Sequence, residues 1–259
     1  MEQVPRTTRV ALCLFFYLTT WIVSARQSPP SATNFTLPNE GPTNALSNAQ
    51  VRRISADVLE IGKVRLDQRK RSITLPAVLD KEKGFMEYFL VTTYGKTHES
   101  ILKTAAEPYH IHLAMLLLGA NGAGNPEFPG SPTNGVPGPV INPSKDIIPG
   151  NKVAITVKWV APGGAVEHSA EELIYKSDAQ SALQRGSWVY NGSLMVNNKF
   201  LAQMDGSIIS LVTDPVALIN NTGPGHDNDM IWEPNSTNLP PADLPVEVTI
   251  SLQDSAPKP

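Results

Sequence analysis

Strict alternation of apolar and polar residues marks two segments of this chain as β-strands. In residues 246–252, valine, isoleucine and leucine occupy every second position, and glutamate, threonine and serine stand between them. Residues 153–159 alternate in the same way and end on Trp159. Because successive side chains of a strand point to opposite faces, this pattern predicts strands with one buried face and one face open to solvent.

Three further segments upstream have strand patterns. Residues 59–66 and 72–75 are predicted to form a first hairpin, with the basic run at residues 69–71 in its solvated turn. Residues 85–93 (FMEYFLVTT) are more densely apolar. Such a run is typical of a strand that is buried on both faces, so we place it at the centre of the sheet.

One helix interrupts the strands. Pro108 suits the first position of a helix, where its missing N–H costs nothing, and Gly119 can provide a left-handed C-terminal cap. Residues 109–118 are apolar nearly all round, which predicts a helix buried in the core. A capping box predicts a shorter helical turn at residues 169–172. The sequence therefore predicts an α+β fold, with a mostly antiparallel sheet, one well-defined buried helix and a disordered N-terminal tail.

The first 25 residues have the pattern of a secretory signal peptide. Arg6 and Arg9 precede an uncharged run at residues 10–23, and Ala25 ends a cleavage site of small residues. A transmembrane helix requires about 20 apolar residues, so a cleaved signal is favoured over an uncleaved anchor. Residues 26–50 are rich in Pro, Ser, Thr and Asn and are predicted to be a disordered spacer.

Residues 51–256 are predicted to form a single domain with a Gly/Pro-rich insertion. The insertion, residues 119–150, contains 7 Gly and 7 Pro, a density that no helix or strand tolerates. A linker between two domains is the alternative, but the residues before it are few for an independent core without disulfides. The only cysteine, Cys13, lies in the predicted signal peptide. A mature chain would therefore have no thiol nucleophile, thiolate metal site or redox motif.

Charge and composition exclude one class of partner. The formal net charge is −3, and both signs are interspersed along the chain. Proteins that bind nucleic acids have basic surfaces that neutralise phosphates, so we expect no nucleic-acid partner. We also expect no stable membrane span after cleavage of the signal, and we expect an exported protein or a component of the cell envelope.

The densest polar cluster follows the predicted central strand and supplies the candidate site. It contains Lys96, His98, Glu99 and Ser100. The His-Glu pair resembles the start of a zinc-protease motif, but that motif needs a second histidine four residues later, where this chain has Leu102. The cluster either satisfies backbone groups at a sheet edge or turn or binds a ligand. We favour the structural role and expect His98→Ala to lower stability.

Two other polar segments bear on metal binding. Asp229 ends the segment HDND, which begins like a calcium loop but lacks the glycine and the later glutamate that complete one. Asp229 could instead join the cluster at Lys96. His110 and His112 would share a metal ion only on a strand, because on the predicted helix they point about 200° apart. The sequence therefore assigns no metal ligands, and no pattern in it identifies a cofactor.

A series of short motifs occurs in order between about residues 55 and 252. They are GKTHES at 95–100, PYHIH at 108–112, LLLG at 116–119, AEELI at 170–174, WVYNGS at 188–193, GSIISLV at 206–212 and WEPN at 232–235. In this order they resemble the YdjY domain, a family of exported bacterial proteins. The resemblance implies export, one globular domain that continues across the insertion, and no assigned reaction.

These observations favour a non-enzymatic binding or structural module that functions outside the cytoplasm, either in the periplasm or beyond the cell. No recognisable catalytic constellation is present in the sequence. The alternative is a hydrolase-like or metal-dependent enzyme with a site around His98 and Glu99, joined by Lys96 and Asp229. In that enzyme His98 would act as a general base or as a metal ligand.

Overall fold

Strands are the predominant secondary structure of the computed structural model, which describes residues 51–123 and 148–253. In chain order they are β1 (Val51–Arg53), β2 (Val58–Ile61), β3 (Val64–Asp67), β4 (Ser72–Leu79), β5 (Tyr88–Thr92), β6 (Ser100–Thr104), β7 (Asn151–Ala161), β8 (Gly164–Ser169), β9 (Ile174–Lys176), β10 (Ser181–Ala182), β11 (Trp188–Tyr190), β12 (Met195–Val196), β13 (Lys199–Phe200), β14 (Ser207–Ser210), β15 (Ile219–Asn221), β16 (Trp232–Pro234) and β17 (Val246–Leu252). The helical elements are α1 (Pro108–Leu117), α2 (Leu201–Asp205) and 3-10 turns at Thr97–Glu99 and Ala170–Leu173.

Eight of these strands close into a barrel. Hydrogen-bonded neighbours follow the order β4, β17, β7, β11, β15, β14, β5 and β6, and β6 pairs again with the end of β4 at Val78 and Leu79. The pairs β14–β15 and β5–β6 are parallel. The prediction of an α+β fold is therefore wrong, because the structure is mostly β, with a closed eight-stranded barrel and 12% helical residues.

Closure of the barrel depends on two long strands that change partners along one edge. The first residues of β4 pair with β3 and its last residues pair with β6. In the same way, β7 pairs with β11 at its start and with β8 from Thr156 onward. Alternation in the sequence indicates which face of a strand is buried, but it gives no signal for a change of partner. The sequence therefore predicted the strands and not their closure.

Alternate residues of the barrel strands fill the interior. Val246, Val248, Ile250 and Leu252 of β17 are each at most 6% exposed, as their alternation predicts. All five residues of β5 are buried, in agreement with the prediction of a central strand. Burial of each large apolar side chain contributes about 1.5–3 kcal/mol. The largest fully buried side chains include Trp188, Trp232, Tyr190, Phe89, Leu66, Ile73 and Leu75.

The predicted first hairpin is present, with one difference. β3 and β4 pair as antiparallel strands across the basic turn, but residues 59–66 form two strands, because the chain turns at Gly62 with φ +57°. A β-carbon on Gly62 would lie 2.3 Å from Nδ1 of His110 in α1. The turn therefore brings its backbone directly against the helix.

The predicted helix forms as α1, but it is not buried on all sides. Ile111, Ala114 and Met115 are fully buried, whereas Leu116 and Leu117 are each 45% exposed. The expectation of a helix enclosed by the core is therefore wrong. The helix packs beside β3, β4 and α2 with one face and presents the other to solvent.

The predicted helical turn after β8 is confirmed as the 3-10 turn Ala170–Leu173. The side chain of Glu172 accepts a hydrogen bond of 2.8 Å from the backbone N–H of Ser169, which is the reciprocal half of a capping box. This turn links β8 to β9, which is the central strand of the small sheet β10–β9–β16.

Some predicted segments lie outside the described residues. They are the signal peptide (1–25), the spacer (26–50) and residues 124–147 of the insertion, and they stay predictions. Strands from both sides of the insertion belong to the same barrel, since β4, β5 and β6 precede it and the other five barrel strands follow it. Within residues 51–123 and 148–253, no helix is both long and apolar enough to cross a membrane.

Candidate functional site

The segment that contains three of the predicted site residues, Lys96, His98 and Glu99, connects β5 to β6. Its tight path depends on Gly95, whose β-carbon would lie 3.0 Å from the carbonyl oxygen of Gly206. The 3-10 turn Thr97–Glu99 follows, and β6 begins at Ser100. The turn aims Lys96 back along β5, so that its Nζ donates a hydrogen bond of 2.6 Å to the hydroxyl of Tyr88.

Lys96 and Tyr88 belong to a hydrogen-bonded group that we call the Asp214 network. Its members are Tyr88, Lys96, Asp205, Asp214 and Asn220. The Tyr88 hydroxyl donates to Oδ2 of Asp214 at 2.9 Å, and Nζ of Lys96 lies 3.5 Å from Oδ2 of Asp205. Lys96 also lies 4.8 Å from the centre of the Tyr88 ring, a cation–π distance. One cation thus faces two carboxylates and a phenol.

Backbone and amide contacts hold Asp214 in place within the Asp214 network. Its Oδ1 accepts the N–H of Val216 at 2.9 Å, and its own N–H donates to Oδ1 of Asn220 at 2.7 Å. Nδ2 of Asn220 donates both to the carbonyl of Asp214 and to Oδ1 of Asn191, each at 2.9 Å. Asn191 and Asn220 are 3% and 1% exposed. The buried side-chain amides of Asn191 and Asn220 therefore hold the loop between β14 and β15 in place.

Burial raises the pKa of two carboxyl groups in this region, those of Asp214 and Glu87. Burial raises the pKa of Asp214, although the Val216 N–H, the Tyr88 hydroxyl and Lys96 oppose that change. Burial also raises the pKa of Glu87, and the charges of Glu99 and Asp229 raise it further while Lys96 lowers it. Three of the predicted site residues therefore influence the pKa of Glu87. They are Lys96, Glu99 and Asp229.

The other two predicted residues have different surroundings. The His98 side chain is 77% exposed, and its Nε2 lies 3.6 Å from Oε2 of Glu99. Ser100 is fully buried, and its hydroxyl donates to the carbonyl of Leu102 at 2.8 Å. Ser100 therefore satisfies the backbone, as the structural interpretation expects. We expected His98→Ala to lower stability because a buried imidazole would be removed. The imidazole of His98 lies at the surface, so that reason does not apply.

The two histidines of α1, His110 and His112, contact different parts of the structure, as helix geometry requires. His110 packs beneath Gly62, and Nδ1 of His112 lies 2.7 Å from the hydroxyl of Tyr190. Burial lowers the pKa of His112 to about 4. Among the residues that the structure describes, no group of three or more His, Cys, Asp or Glu side chains is arranged to hold a metal ion.

A groove of about 620 Å³ crosses the outer face of the sheet formed by β3, β4, β17 and β7. We call it the outer groove. A polar concavity of about 350 Å³ adjoins it and shares Arg65, Thr74 and Glu247 with it. The outer groove is lined by Lys63, Arg65, Thr74, Leu75, Pro76, Lys158, Trp159, Val160, Leu244, Pro245, Val246 and Glu247.

Strand register orders the floor of the outer groove into rows. Glu247 of β17 lies between Pro76 of β4 and Lys158 of β7. In the next row, two residues along the strands, Thr74 lies between Arg65 and Thr249. The hydroxyls of Thr74 and Thr249 are 3.2 Å apart. These rows form the polar part of the floor.

The other end of the outer groove is apolar. Val160 lies two residues beyond Lys158 on the same face of β7 and is 70% exposed. Because β7 and β17 are antiparallel, Val160 reaches the end of the groove where Leu244 and Pro245 lead into β17. The outer groove therefore changes from apolar to polar along the strand direction.

The outer groove also has an excess of positive charge. Lys63, Arg65 and Lys158 line it together with one carboxylate, Glu247. Within the described part of the chain, none of these three cations has an ion-pair partner within 4.0 Å. Carboxylates lie near two of them, since Glu247 and Glu167 are the cross-strand neighbours of Lys158 and Glu60 is that of Arg65. Lys96, by contrast, contacts Tyr88 and Asp205 directly.

No pattern in the sequence marks Tyr88, Asp205 or Asp214 as site residues, and none indicates the outer groove. The alternation in residues 153–159 and 246–252 does place Lys158, Glu247 and Thr249 on solvent-facing positions. It does not indicate that β17 lies between β4 and β7, and only that order brings the side chains together. Tyr88 and Asp214 are 126 residues apart, and no local pattern relates them.

Comparison with known proteins gives one match. Residues 64–251 match the model of the family described as the YdjY domain, and no curated protein and no solved structure matches the chain. The matched range begins at β3 and ends within β17, so it includes all eight barrel strands, the Asp214 network and most of the outer groove. The resemblance inferred from the ordered motifs is thereby confirmed, and this chain belongs to the YdjY domain family.

Proposed function

We propose that this protein is a non-enzymatic binding module and that the outer groove is its ligand site. The observation that supports this proposal is a concave surface lined by three cations that have no ion-pair partner among the described residues. Its volume, about 620 Å³, lies within the range of about 300–1,000 Å³ that is typical of small-molecule sites. A position outside the cytoplasm belongs to the same proposal and is supported by the signal-peptide pattern of residues 1–25.

The Asp214 network has less support as a ligand site. Lys96 donates a hydrogen bond to Tyr88, Tyr88 donates to Asp214, and Asp214 accepts the backbone N–H of Val216. Such mutual satisfaction is typical of a polar group that stabilises a fold. The alternative of an enzyme with a site at His98 and Glu99 would need an enclosed imidazole. The 77% exposure of His98 speaks against it.

A ligand screen with a groove-filling variant tests the proposal. We expect a thermal-shift screen of metabolites, glycans, peptides and cell-wall fragments to yield a ligand of the parent protein. At 100 times its Kd, such a ligand adds about 2.7 kcal/mol, which corresponds to a rise in Tm of about 5–10 °C for a chain of this size. Thr74→Trp places an indole in the outer groove and should abolish the rise.

Ala154→Trp is the matched control. Ala154 is exposed on the solvent-facing side of β7 but does not line the outer groove, so this variant should keep the full rise in Tm. A ligand that stabilises Thr74→Trp as much as the parent would place the site elsewhere. Turnover of any compound in the screen would contradict the assignment as a non-enzymatic module.

A further inference from the structure

We propose that Met195, Met204 and Met230 are sites of reversible oxidation to methionine sulfoxide, and that the fold tolerates this modification at all three. The oxidant is a peroxide, which transfers one oxygen atom to the thioether sulfur. A sulfur–oxygen bond forms, the O–O bond of the peroxide breaks, and the sulfur loses the two electrons that reduce the peroxide. The outer groove is lined by other residues, so this inference is independent of the proposed function.

Exposure divides the methionines of the described residues into two groups. Met195, Met204 and Met230 are 53%, 44% and 59% exposed, whereas Met86 and Met115 are 2% and 0% exposed. A peroxide in solution can reach the first three sulfur atoms while the fold stays closed. Access to the other two requires an opening of the core, which costs free energy. The folded protein is therefore expected to be modified at three positions and protected at two.

Other side chains that react readily with oxidants are shielded or lie elsewhere in the chain. The only cysteine, Cys13, lies outside the described residues. Trp159, Trp188 and Trp232 are each at most 6% exposed, so the fold covers their indole rings. Because peroxides act mainly on sulfur, oxidation of the described surface should be concentrated at the three exposed methionines.

The positions of the exposed methionines explain why the fold should tolerate their oxidation. Met195 belongs to β12, in the two-stranded sheet β12–β13, and Met204 lies in α2. Met230 lies in the loop between β15 and β16. All three positions are thus outside the eight barrel strands. A sulfoxide is more polar than a thioether, and water can solvate it at these exposed positions without any loss of burial in the barrel.

The two protected methionines belong to the core, where the same modification would be costly. Met115 lies on the buried face of α1 together with Ile111. Met86 precedes β5, and its backbone N–H donates to the carbonyl of Trp232 at 2.9 Å. A sulfoxide at either position would place a polar oxygen in apolar surroundings, which costs free energy unless a donor is present. The two groups of methionines therefore differ in the consequence of oxidation as well as in its rate.

Peptide mass spectrometry of the purified protein during treatment with dilute hydrogen peroxide at pH 7 tests the inference. Each of the three exposed methionines should gain one oxygen about five-fold or more faster than Met86 and Met115. In concentrated urea, where the core is open, the five rates should converge. Methionine sulfoxide reductases of both stereospecificities should remove the added oxygen. The Tm of the oxidised protein should fall by no more than about 2 °C.

A variant that combines Met195→Leu, Met204→Leu and Met230→Leu is the matched control. Leucine is close to methionine in volume and has no sulfur, so the folded variant should gain no oxygen at these positions. Its Tm before and after peroxide treatment should be the same.

Each contrary outcome overturns a stated part of the inference. Equal rates at the exposed and buried methionines of the folded parent would overturn the assignment of the sites. A fall in Tm of more than about 5 °C in the oxidised parent, absent from the treated control variant, would show that the fold does not tolerate the modification. Oxygen that the reductases cannot remove would overturn its reversibility. The ligand screen of the outer groove decides the proposed function separately.

Discussion

An Asp214→Ala protein is expected to unfold with a free energy about 2–4 kcal/mol lower than that of the parent, because a buried donor without an acceptor costs about 1–3 kcal/mol. Two donors lose their acceptor in this variant, the hydroxyl of Tyr88 and the N–H of Val216. Relief of the cost of burying the ionised carboxylate offsets part of the loss, since burial raises the pKa of Asp214. Urea denaturation at pH 7, with the slope compared between variants, measures the difference.

Two further variants separate the hydrogen bonds from the charge. Asp214→Asn keeps an oxygen that can accept the Val216 N–H but loses the acceptor for Tyr88, so about half of the loss is expected. Asp227→Ala removes an exposed aspartate from the loop that follows β15 and should change stability by no more than about 0.5 kcal/mol. If Asp214→Ala unfolded like Asp227→Ala, the Asp214 network would not stabilise the fold, and its role as a functional site would need to be reconsidered.

The parent protein is expected to lose up to about 3 kcal/mol of stability through His112 as the pH falls from 6.5 to about 4, since one pKa unit corresponds to about 1.4 kcal/mol. The ordinary pKa of 6.5 applies to the unfolded chain, and burial lowers the pKa in the fold to about 4. Between these values the unfolded state binds a proton that the folded state does not. The contribution is therefore fully present above pH 6.5 and disappears as the pH falls.

Comparison of variants separates the effect of His112 on the pH dependence of stability from the effects of Asp214 and Glu87. The raised pKa values of Asp214 and Glu87 act in the opposite direction, because the folded state binds their protons first and gains stability as the pH falls. His112→Gln keeps an acceptor for Tyr190 but cannot titrate, so its stability should depend less steeply on pH. His98→Gln, which replaces an imidazole that is 77% exposed, is the matched surface variant. Parallel curves for the parent and His112→Gln would show that His112 titrates normally.

The strands of this fold could be predicted from local sequence, because each strand has its own pattern. The alternation in β7 and β17 correctly identified their buried faces, and the apolar run of β5 correctly indicated burial on both sides. Closure into a barrel depends on the pairing of β4 with β6 and of β11 with β7, which join residues far apart in the sequence. Register between such strands is a tertiary property, so single-strand patterns do not contain it.

The helix misled the prediction of fold class for a related reason. Its composition is apolar nearly all round, which is typical of a fully enclosed helix. In the structure one face packs on the barrel, while Leu116 and Leu117 remain 45% exposed. Local composition therefore predicted the helix itself but did not determine how much of it the surrounding strands would cover.

The candidate site shows the same division between local and tertiary information. The polar cluster at Lys96–Ser100 could be found because its residues are adjacent, and the charges of Lys96, Glu99 and Asp229 all influence the pKa of Glu87. The partners of Lys96, by contrast, come from β5 and from α2. The outer groove depends on residues of four strands, of the turn before β3 and of the loop before β17. Only the order of the strands makes Lys158 and Arg65 parts of one surface.

An NMR titration of the ¹⁵N-labelled protein tests most directly whether the outer groove is the ligand site. The ligand is the strongest stabiliser from the thermal-shift screen, and the amide shifts of the whole barrel are followed. We expect shifts that are largest at Thr74, Val160 and Glu247, which line the outer groove, and small at Lys96 and Asp214. Shifts centred on Lys96 and Asp214, with Thr74 and Val160 unchanged, would contradict it and assign ligand binding to the Asp214 network.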